Sequence, residues 1–304
     1  MKNNTSQPPI SAISGVRVGH WSEKRAKTGC SVVLFDRSCT ASCHVSGGAP
    51  GSHETDLLNP SCLINGVDAI LLSGGSSYGL AAATGIKDYL EKHERGFKVG
   101  SHFVPVVPGA VIFDLANGDG RVRPGAREGY LACLDSENQE DLCGAVGAGC
   151  GATIGKYIGY EYNSPGGIGS VSSVVDNGVA IGALMVSNCY GCIIDPATGA
   201  IVAGPKNEEG SHLPFLDIQS TPPEFGSTAI GVVVTDAALT KAQAQRLAIM
   251  AHDGIARTVS PSHTPYDGDI IFVVSLGERS MEISRLGAWG AEMVQRAMLA
   301  SVGL

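Results

Sequence analysis

The sequence Thr228-Ala-Ile-Gly-Val-Val-Val-Thr235 does most to define the fold of this chain. Its uninterrupted apolar run is rich in β-branched residues and is typical of a strand buried on both faces. The preceding segment, residues 207–227, is polar and contains prolines, which indicates an exposed connection with few backbone pairings. The junction Gly226-Ser227-Thr228 therefore places a hydroxyl side chain where a loop enters a buried strand.

Apolar patterns predict further elements on both sides of this strand. Strands are predicted over residues 31–35, 69–73, 103–115, 178–186, 192–203, 228–235 and 270–275. Helices are predicted over residues 78–94, 127–134, 240–259 and 283–302, with Thr240 as the N-cap of the third. The apolar runs are too long for a one-sided sheet, and stacked sheets covered by helices would bury them. Periodicity itself indicates only a mixed α+β fold, with no repeat and no linker that divides residues 1–304 into two domains.

The composition is that of an acidic globular protein. Apolar residues make up 43% of the 304 residues and charged residues 16%, which provides enough apolar material for a large core. The formal net charge of -8 argues against nucleic acid or an anionic membrane as the main partner. The cluster Lys24-Arg25-Ala26-Lys27 is interpreted as a solvated turn. The N-terminus lacks an apolar signal region and no apolar run reaches the ~18 residues of a membrane span, so we expect a cytoplasmic protein.

The nine cysteines are odd in number and lie mostly in apolar or glycine-rich surroundings. Without an export signal they are interpreted as reduced, buried thiols. The segment Cys189-Tyr190-Gly191-Cys192 has redox spacing, but its apolar flanks indicate strands instead of the strand-to-helix context that the motif requires. His44 and His53, near Cys39 and Cys43, lack zinc-ligand spacing, so no metal is predicted.

A glycine-rich stretch from Gly144 to Lys156 approaches two cofactor-binding motifs without matching either. A P-loop requires a glycine where Cys150 stands and a serine or threonine where Tyr157 stands. The segment Gly147-Ala148-Gly149-Cys150-Gly151-Ala152 is like a dinucleotide fingerprint, but no clear strand with an acidic residue about 20 positions on completes it. No cofactor is therefore predicted.

Other polar residues have both a structural and a functional interpretation. The segment Asp267-Gly268-Asp269 is either an Asp-Gly turn or a pair of carboxylates at the start of a strand. Asn188 follows a strand, where its amide either caps a turn or donates to an oxyanion. The local sequence leaves both interpretations open.

The junction before Thr228 has the chemistry of a self-cleaving bond. The hydroxyl can attack the preceding carbonyl carbon and give an ester by an N-to-O acyl shift, which water then opens. The product begins with threonine, whose α-amine has an ordinary pKa of about 7.7–8.0 and can act as a general base. Gly226 gives the backbone the freedom that this strained attack requires. The same three residues also fit an ordinary loop end, so the junction alone leaves both interpretations open.

Ordered sequence blocks extend along nearly the whole chain. They are Gly47-Gly48-Ala49-Pro50-Gly51-Ser52 with Glu54-Thr55-Asp56-Leu57-Leu58, Leu72-Ser73-Gly74-Gly75-Ser76-Ser77-Tyr78-Gly79-Leu80, Pro108-Gly109-Ala110-Val111-Ile112-Phe113-Asp114, Gly147-Ala148-Gly149 to Lys156, Asn188 with Gly191 and Asp195, Thr235-Asp236-Ala237, and His263-Thr264-Pro265-Tyr266-Asp267-Gly268-Asp269. Together they resemble the DmpA-type family of N-terminal-nucleophile hydrolases. That family includes L-aminopeptidase/D-amidase/D-esterase, β-peptidyl aminopeptidases and nylon-oligomer (6-aminohexanoate oligomer) hydrolases.

The resemblance implies a four-layer α/β/β/α sandwich of the Ntn-hydrolase type, with a topology like that of DmpA and ornithine acetyltransferase. It implies that the chain splits into a large subunit, 1–227, and a small subunit, 228–304. By position, the family's nucleophile, its two orienting carboxylates, the oxyanion-side amide and the accompanying lysine and tyrosine fall on Thr228, Asp267, Asp269, Asn188, Lys156 and Tyr78. Relatives with a threonine nucleophile usually have asparagine before it. This chain has Ser227 there, so Ser227 stays the alternative nucleophile and the cleavage site lies before one of these two residues.

The function predicted from these residues is an autoprocessing amide hydrolase without a metal or organic cofactor. As an aminopeptidase or amidase it would act on small peptides or amides, including β-peptides, D-amides or 6-aminohexanoate oligomers. The resemblance also implies a homo-oligomer, a tetramer of processed protomers. Two alternatives are a non-catalytic or unprocessed relative that binds small amines, and a thiol oxidoreductase that uses Cys189 and Cys192.

Overall fold

The fold is built around one large, bent β-sheet. The computed structural model describes residues 7–138, 142–219 and 226–304, so residues 220–225 of the predicted exposed connection lie outside the described residues. The helices are α1 (Ala82–Lys92), α2 (Ala126–Asp135), α3 (Lys241–Thr258) and α4 (Ile283–Ala300). The strands are β1 (Val16–Glu23), β2 (Thr28–Val45), β3 (Ser52–His53), β4 (Gly66–Ser73), β5 (Phe97–Val99), β6 (His102–Val104), β7 (Gly109–Val111), β8 (Thr153–Ile154), β9 (Ser164–Pro165), β10 (Gly167–Val174), β11 (Ala180–Asn188), β12 (Cys192–Ile194), β13 (Ile201–Ala203), β14 (Thr228–Ala237), β15 (Val259–Ser260) and β16 (Ile270–Arg279).

The strand predicted from Thr228 to Thr235 is β14, and it lies in the middle of the sheet. The sheet has the order β10-β11-β14-β16-β2-β4-β7-β3, and β1 pairs with β2 beside this path. β14 is antiparallel to β11 and parallel to β16. Residues 228–235 are all buried, so the prediction of a strand covered on both faces is confirmed.

The long strand β2 belongs to both halves of the sheet because it bends. Its first part, up to Phe35, pairs with β1 and β4, and its last part, residues 40–45, pairs with β16. Between these parts the register against β4 shifts, and Asp36, Arg37 and Ser38 are exposed. Extra residues of this kind form a β-bulge, which bends a strand and increases its twist. The chain therefore needs no separate connection between the two halves at this point.

Three apolar clusters define the layers of the fold. The central cluster joins side chains from both halves of the sheet, such as Val33 and Leu72 from one half and Val232 and Phe272 from the other. The opposite face of the β14 half packs against α3 and α4. The opposite face of the β4 half packs against α1 and α2. This order is the predicted α/β/β/α sandwich, with the refinement that the two β-layers are halves of one sheet.

The helix that covers β14 begins where its capping residues predict. The Thr240 hydroxyl accepts the Gln243 N–H at 3.2 Å, and the Gln243 side chain accepts the Thr240 N–H at 2.9 Å. This reciprocal pair is a capping box, which satisfies two backbone donors at the helix start. The prediction of Thr240 as the N-cap of α3 is confirmed.

Candidate active site

Three chain segments converge at the first residue of β14. Thr228 lies opposite Asn188, the last residue of β11, in their antiparallel pairing. On the other side, Ser227 forms a parallel bridge with Asp267, shortly before β16 begins at Ile270. Because β14 lies between β11 and β16, the end of one neighbour and the approach to the other meet at this junction.

The Thr228 hydroxyl lies against the peptide bond that precedes it. Thr228 is 5% exposed, and its Oγ1 donates to the Ser227 carbonyl oxygen at 2.5 Å. The same oxygen accepts the Gly268 N–H at 2.8 Å. A Cβ at position 268 would lie only 3.1 Å from the Thr228 hydroxyl and 2.6 Å from the Ala49 carbonyl oxygen, so glycine permits this close backbone approach. The Gly268 amide is thus a donor to a carbonyl that would become an oxyanion under attack.

Asp269 fixes the backbone next to Thr228. Its Oδ1 accepts the Ala229 N–H at 2.7 Å, and its Oδ2 accepts a hydrogen bond from His263 Nδ1 at 2.7 Å. The carboxylate is buried, and the two donors approach different oxygens. A buried carboxylate bound on both oxygens keeps one orientation, so the start of β14 is tied to the loop that precedes β16.

Asp267 is held by the turn in which it lies. One carboxylate oxygen accepts the Tyr190 N–H at 3.2 Å, and the other accepts the Thr264 N–H at 3.0 Å and the Thr264 hydroxyl at 2.5 Å. Burial, followed by the charge of Asp269, raises the pKa of Asp267 to about 6. Asp267 therefore gains a proton only slightly below neutral pH, unlike an exposed aspartate.

Lys156 is a buried lysine at the same junction. It is 2% exposed, and its Nζ donates to the Asn188 carbonyl oxygen at 2.7 Å and to Asn188 Oδ1 at 3.0 Å. Its Nζ also lies 3.4 Å from the Ser227 hydroxyl. Burial lowers the pKa of Lys156 to about 7, although Cys189 and the two aspartates act in the opposite direction. An amine with this pKa can exist in its neutral, proton-accepting form near neutral pH.

The Asn188 side chain is fully buried and oriented by its neighbours. Its Oδ1 accepts the Thr153 N–H at 3.0 Å as well as Lys156, which leaves the Nδ2 group as the donor. Nδ2 donates to the Phe113 carbonyl oxygen at 3.3 Å. The amide donor of Asn188 is thus directed at the Phe113 carbonyl, while the Asn188 backbone pairs with Thr228.

Tyr78 does not join this cluster. It lies in a short 3-10 helix, Ser76–Ala81, and is 57% exposed. The guanidinium carbon of Arg123 lies 3.8 Å from the centre of its ring. Within the described residues, hydrogen bonds and strand pairings join the other five residues that the resemblance indicated, and Tyr78 is not part of that network.

The structure adds three groups to which the sequence assigned no role. They are the Gly268 N–H, the His263 side chain and the Phe113 carbonyl oxygen. Gly268 and His263 belong to the block 263–269, in which the two carboxylates carry the more specific chemical signal. Nothing in the sequence distinguishes the Phe113 carbonyl, because every residue has one.

The Cys189 and Cys192 thiols are arranged as core side chains. Both are 2% exposed, and Cys192 begins the strand β12 instead of a helix. Burial raises the pKa of each thiol, which disfavours the reactive thiolate. Cys192 Sγ donates to the Ser260 carbonyl oxygen at 3.3 Å. The structure therefore argues against the thiol oxidoreductase alternative.

The described residues contain neither a cluster of metal ligands nor a membrane-spanning helix. Within residues 7–138, 142–219 and 226–304, no group of three His, Cys, Asp or Glu side chains is placed to hold a metal ion. Over the same residues, no helix is both long enough and apolar enough to cross a bilayer.

Comparison with known proteins identifies the group to which this site belongs. The sequence profile of Peptidase family S58 matches residues 9–303. The chain belongs to family S58. As a member of S58 it is a hydrolase of peptide or amide bonds.

Relatives of this S58 chain are named as aminopeptidases or amide hydrolases. An uncharacterized aminopeptidase of Mycobacterium tuberculosis is 38% identical over 96% of this chain and 93% of that protein. A 6-aminohexanoate-oligomer endohydrolase of Paenarthrobacter ureafaciens is 29% identical over 94% of this chain and 83% of that protein. The structure of an L-aminopeptidase D-Ala-esterase/amidase from Ochrobactrum anthropi has a TM-score of 0.73 and 18% identity, covering 96% of this chain and 85% of that one. Its fold is a variant of the Ntn-hydrolase fold, and this chain shares that fold.

Proposed function

We propose that the chain is a self-processing amide hydrolase whose nucleophile is Thr228, freed by cleavage of the Ser227–Thr228 peptide bond. The observation that carries the proposal is the position of the Thr228 hydroxyl at the preceding carbonyl, whose oxygen also accepts the Gly268 N–H at 2.8 Å. In the first step Oγ1 bonds to the Ser227 carbonyl carbon, the C–N bond breaks and the nitrogen of Thr228 takes a proton. Water then opens the ester, giving a Ser227 carboxylate and restoring the Thr228 hydroxyl.

Lys156 supports this step because it supplies a base at the junction. Its Nζ lies 3.4 Å from the hydroxyl of Ser227, the residue directly before Thr228. With a pKa of about 7, a large fraction of Lys156 is neutral at physiological pH and available as a proton acceptor at the junction, where the hydroxyl 3.4 Å from its Nζ is that of the alternative nucleophile, Ser227. The Gly268 N–H stabilises the negative charge that develops on the Ser227 oxygen.

After maturation, Thr228 Oγ1 attacks the carbonyl carbon of a substrate amide. The freed α-amine takes the hydroxyl proton and returns it to the leaving amine, and water then releases the acyl group from Thr228. The Asn188 Nδ2 group, which here donates to the Phe113 carbonyl oxygen, is the proposed donor to the oxyanion, and Asp269 keeps the new N-terminus in place through the Ala229 N–H. Asp267 and Asp269 also provide negative charge for a substrate ammonium group.

The names of the relatives suggest the substrate class. Aminopeptidases act at the free amino end of a peptide, and the endohydrolase relative acts on 6-aminohexanoate oligomers. Both kinds of substrate are chains of amino-acid units joined by amide bonds. We therefore propose short peptides, β-peptides, D-amides or 6-aminohexanoate oligomers as the substrates.

Two single substitutions test the nucleophile. Thr228→Ala should leave one uncleaved chain and lower amide hydrolysis by about 10³-fold or more, because both the attacking hydroxyl and the N-terminal threonine are lost. Ser227→Ala is the matched control, since it removes the neighbouring hydroxyl and keeps Thr228. It should still be cleaved, and N-terminal sequencing of its small fragment should begin at Thr228. Denaturing gels and intact-mass spectrometry measure both results.

The opposite pattern would overturn the assignment. A small fragment that begins with Ser227, together with cleavage that survives Thr228→Ala and disappears in Ser227→Ala, identifies Ser227 as the nucleophile. An uncleaved wild-type chain that hydrolyses amides at full rate contradicts self-processing. Screening against aminoacyl anilides, β-peptides and 6-aminohexanoate oligomers tests the substrate class. Absence of turnover on all of them would favour a relative that binds amines without catalysis.

A further inference from the structure

His263 has a backbone conformation that histidine rarely adopts. Its φ of 54° lies in the left-handed region, which is uncommon for residues with a Cβ. Such a conformation persists only where the surrounding structure enforces it, and conformations of this kind cluster at functional sites. The loop before β16 therefore holds His263 in a fixed place, directly ahead of the two aspartates of the site.

The side chain and the backbone of His263 bind the same carboxylate oxygen. Nδ1 lies 2.7 Å from Asp269 Oδ2, and the His263 N–H donates to that oxygen at 3.3 Å. The other oxygen of Asp269 accepts the Ala229 N–H at 2.7 Å. A carboxylate accepts only, so Nδ1 carries the hydrogen. A continuous chain of hydrogen bonds thus runs from His263 through Asp269 to the residue that follows Thr228.

The titratable groups around His263 favour its hydrogen bond with Asp269. The ring of His252, from α3, lies 5.0 Å away edge-on, and the ring of His44, from β2, lies 5.3 Å beyond it. Burial lowers the pKa of His252 to about 4, and burial together with the charge of His263 lowers the pKa of His44. Burial also acts to lower the pKa of His263, but the hydrogen bond and charge of Asp269 outweigh it, and Asp267 adds to them, so the net pKa is raised. Within this trio, His263 is therefore the ring whose pKa is raised, and the hydrogen bond and charge of Asp269 are the cause.

We propose that His263 is a positioning residue that aims Asp269 at the Ala229 amide and thereby sets the place of the Thr228 nucleophile. The proposal rests on the proposed function, because it concerns the same N-terminal threonine. In this role His263 acts through Asp269, whose Oδ2 accepts both its side-chain and its backbone hydrogen bonds. Its loss should reduce the rate of the chemical step more than substrate binding, because a small displacement of a nucleophile has a large effect on rate.

Two amide substitutions separate a positioning role from a merely structural one. His263→Asn places a side-chain N–H where Nδ1 lies, and asparagine tolerates the left-handed conformation. His263→Gln carries the same amide group one bond further out, where it no longer matches Nδ1. We expect His263→Gln to lower kcat by about 10- to 100-fold with KM changed by less than about 3-fold, and His263→Asn to restore kcat to within about 5-fold of the wild type. The measurement is steady-state kinetics on the processed enzyme, using the best substrate of the screen above.

A distant histidine provides the control. The His93 side chain contacts the Tyr89 carbonyl oxygen and ring at the end of α1, and His93→Ala should leave kcat and KM unchanged. Wild-type kcat in His263→Gln would overturn the proposal. Equal losses of kcat in the Asn and Gln variants, together with equal falls in Tm, would also overturn it and indicate a structural role. Failure of the proposed function is seen separately, in a wild-type protein that lacks the fragment beginning at Thr228, and that result overturns both.

Discussion

At the scale of single residues, Lys156 shows how the fold changes the chemistry of a side chain. Its ammonium group is removed from water and bonded to the Asn188 carbonyl and amide oxygens. Burial alone outweighs the favourable charges of Asp267 and Asp269 and brings its pKa to about 7. The sequence identifies this lysine by its position in a block, but its basicity depends on neighbours that are distant in the chain.

The lowered pKa of Lys156 predicts how the rate of self-cleavage depends on pH. The neutral, proton-accepting form of Lys156 predominates at pH values above its pKa. The rate of self-cleavage should therefore rise as pH increases from 6 to 8 and level off above pH 8. Lys156→Arg, whose guanidinium stays protonated, should slow cleavage by about 10²- to 10⁴-fold and remove this rise. The measurement is the time course of intact mass for freshly synthesised precursor at a series of pH values.

A second buried lysine is the matched control for this experiment. Lys241 donates to three backbone carbonyl oxygens, those of Leu57, Cys62 and Ile64, and lies outside the site. In Lys241→Arg, the cleavage rate should depend on pH as it does in the wild type, even if the substitution changes the stability of the chain. A wild-type cleavage rate that is constant between pH 6 and 8 would contradict the assignment of Lys156 as the base.

At the scale of elements, the sequence predicted strands and helices best where the apolar pattern was strong. The helices α2, α3 and α4 and the strands β4, β11 and β14 lie close to their predicted ranges. The strand β10 was missed because its sequence, Gly167 to Val174, is rich in glycine and serine and has little intrinsic preference for a strand. Of the predicted strand 103–115, only His102–Val104 and Gly109–Val111 are strands, because Pro105 and Pro108 lack the N–H that a ladder requires.

The close packing of α3 against α4 predicts how replacing a glycine of the contact changes stability. A Cβ on Gly254 of α3 would lie 2.3 Å from the Ala291 carbonyl oxygen of α4 and 2.8 Å from Val294 Cβ. Gly254→Ala should therefore lower the free energy of unfolding by about 1–3 kcal/mol, although alanine favours a helix. In the control Gly290→Ala, the closest atom is the flexible end of Leu247, and the free energy should stay equal or rise by up to about 1 kcal/mol. Urea unfolding measures both, and a stabilised Gly254→Ala would contradict the close helix contact.

At the scale of the whole molecule, the proposed cleavage divides the sheet without opening it. The fragment 228–304 contains β14, α3, β15, β16 and α4. β14 pairs with β11 and β16 pairs with β2, and both partners belong to the fragment 1–227. β15 also pairs with β12 of the larger fragment, so separating the fragments would expose the central apolar cluster and break three strand pairings.

We therefore expect the two fragments to stay together after cleavage. They should elute as one species in native gel filtration and separate only in denaturant. The control is the uncleaved Thr228→Ala chain, which should elute at the same volume. Independent elution of the small fragment under native conditions would contradict this arrangement. Light scattering on the same column measures the assembly mass and tests the prediction of a tetramer.

The sequence by itself determined the buried strand from Thr228 to Thr235, the helix start at Thr240, the α+β class and, through its ordered blocks, the candidates Thr228, Asn188, Lys156, Asp267 and Asp269. These features depend on local propensity and on residue order, which a sequence displays directly. Only the tertiary structure decided that β2 bends, that the Gly268 amide binds the carbonyl before Thr228, that His263 holds Asp269 and that Tyr78 is exposed beside Arg123. The physical reason is that burial, strand register and long-range hydrogen bonds join residues far apart in the chain, and these contacts exist only after the sheet has folded.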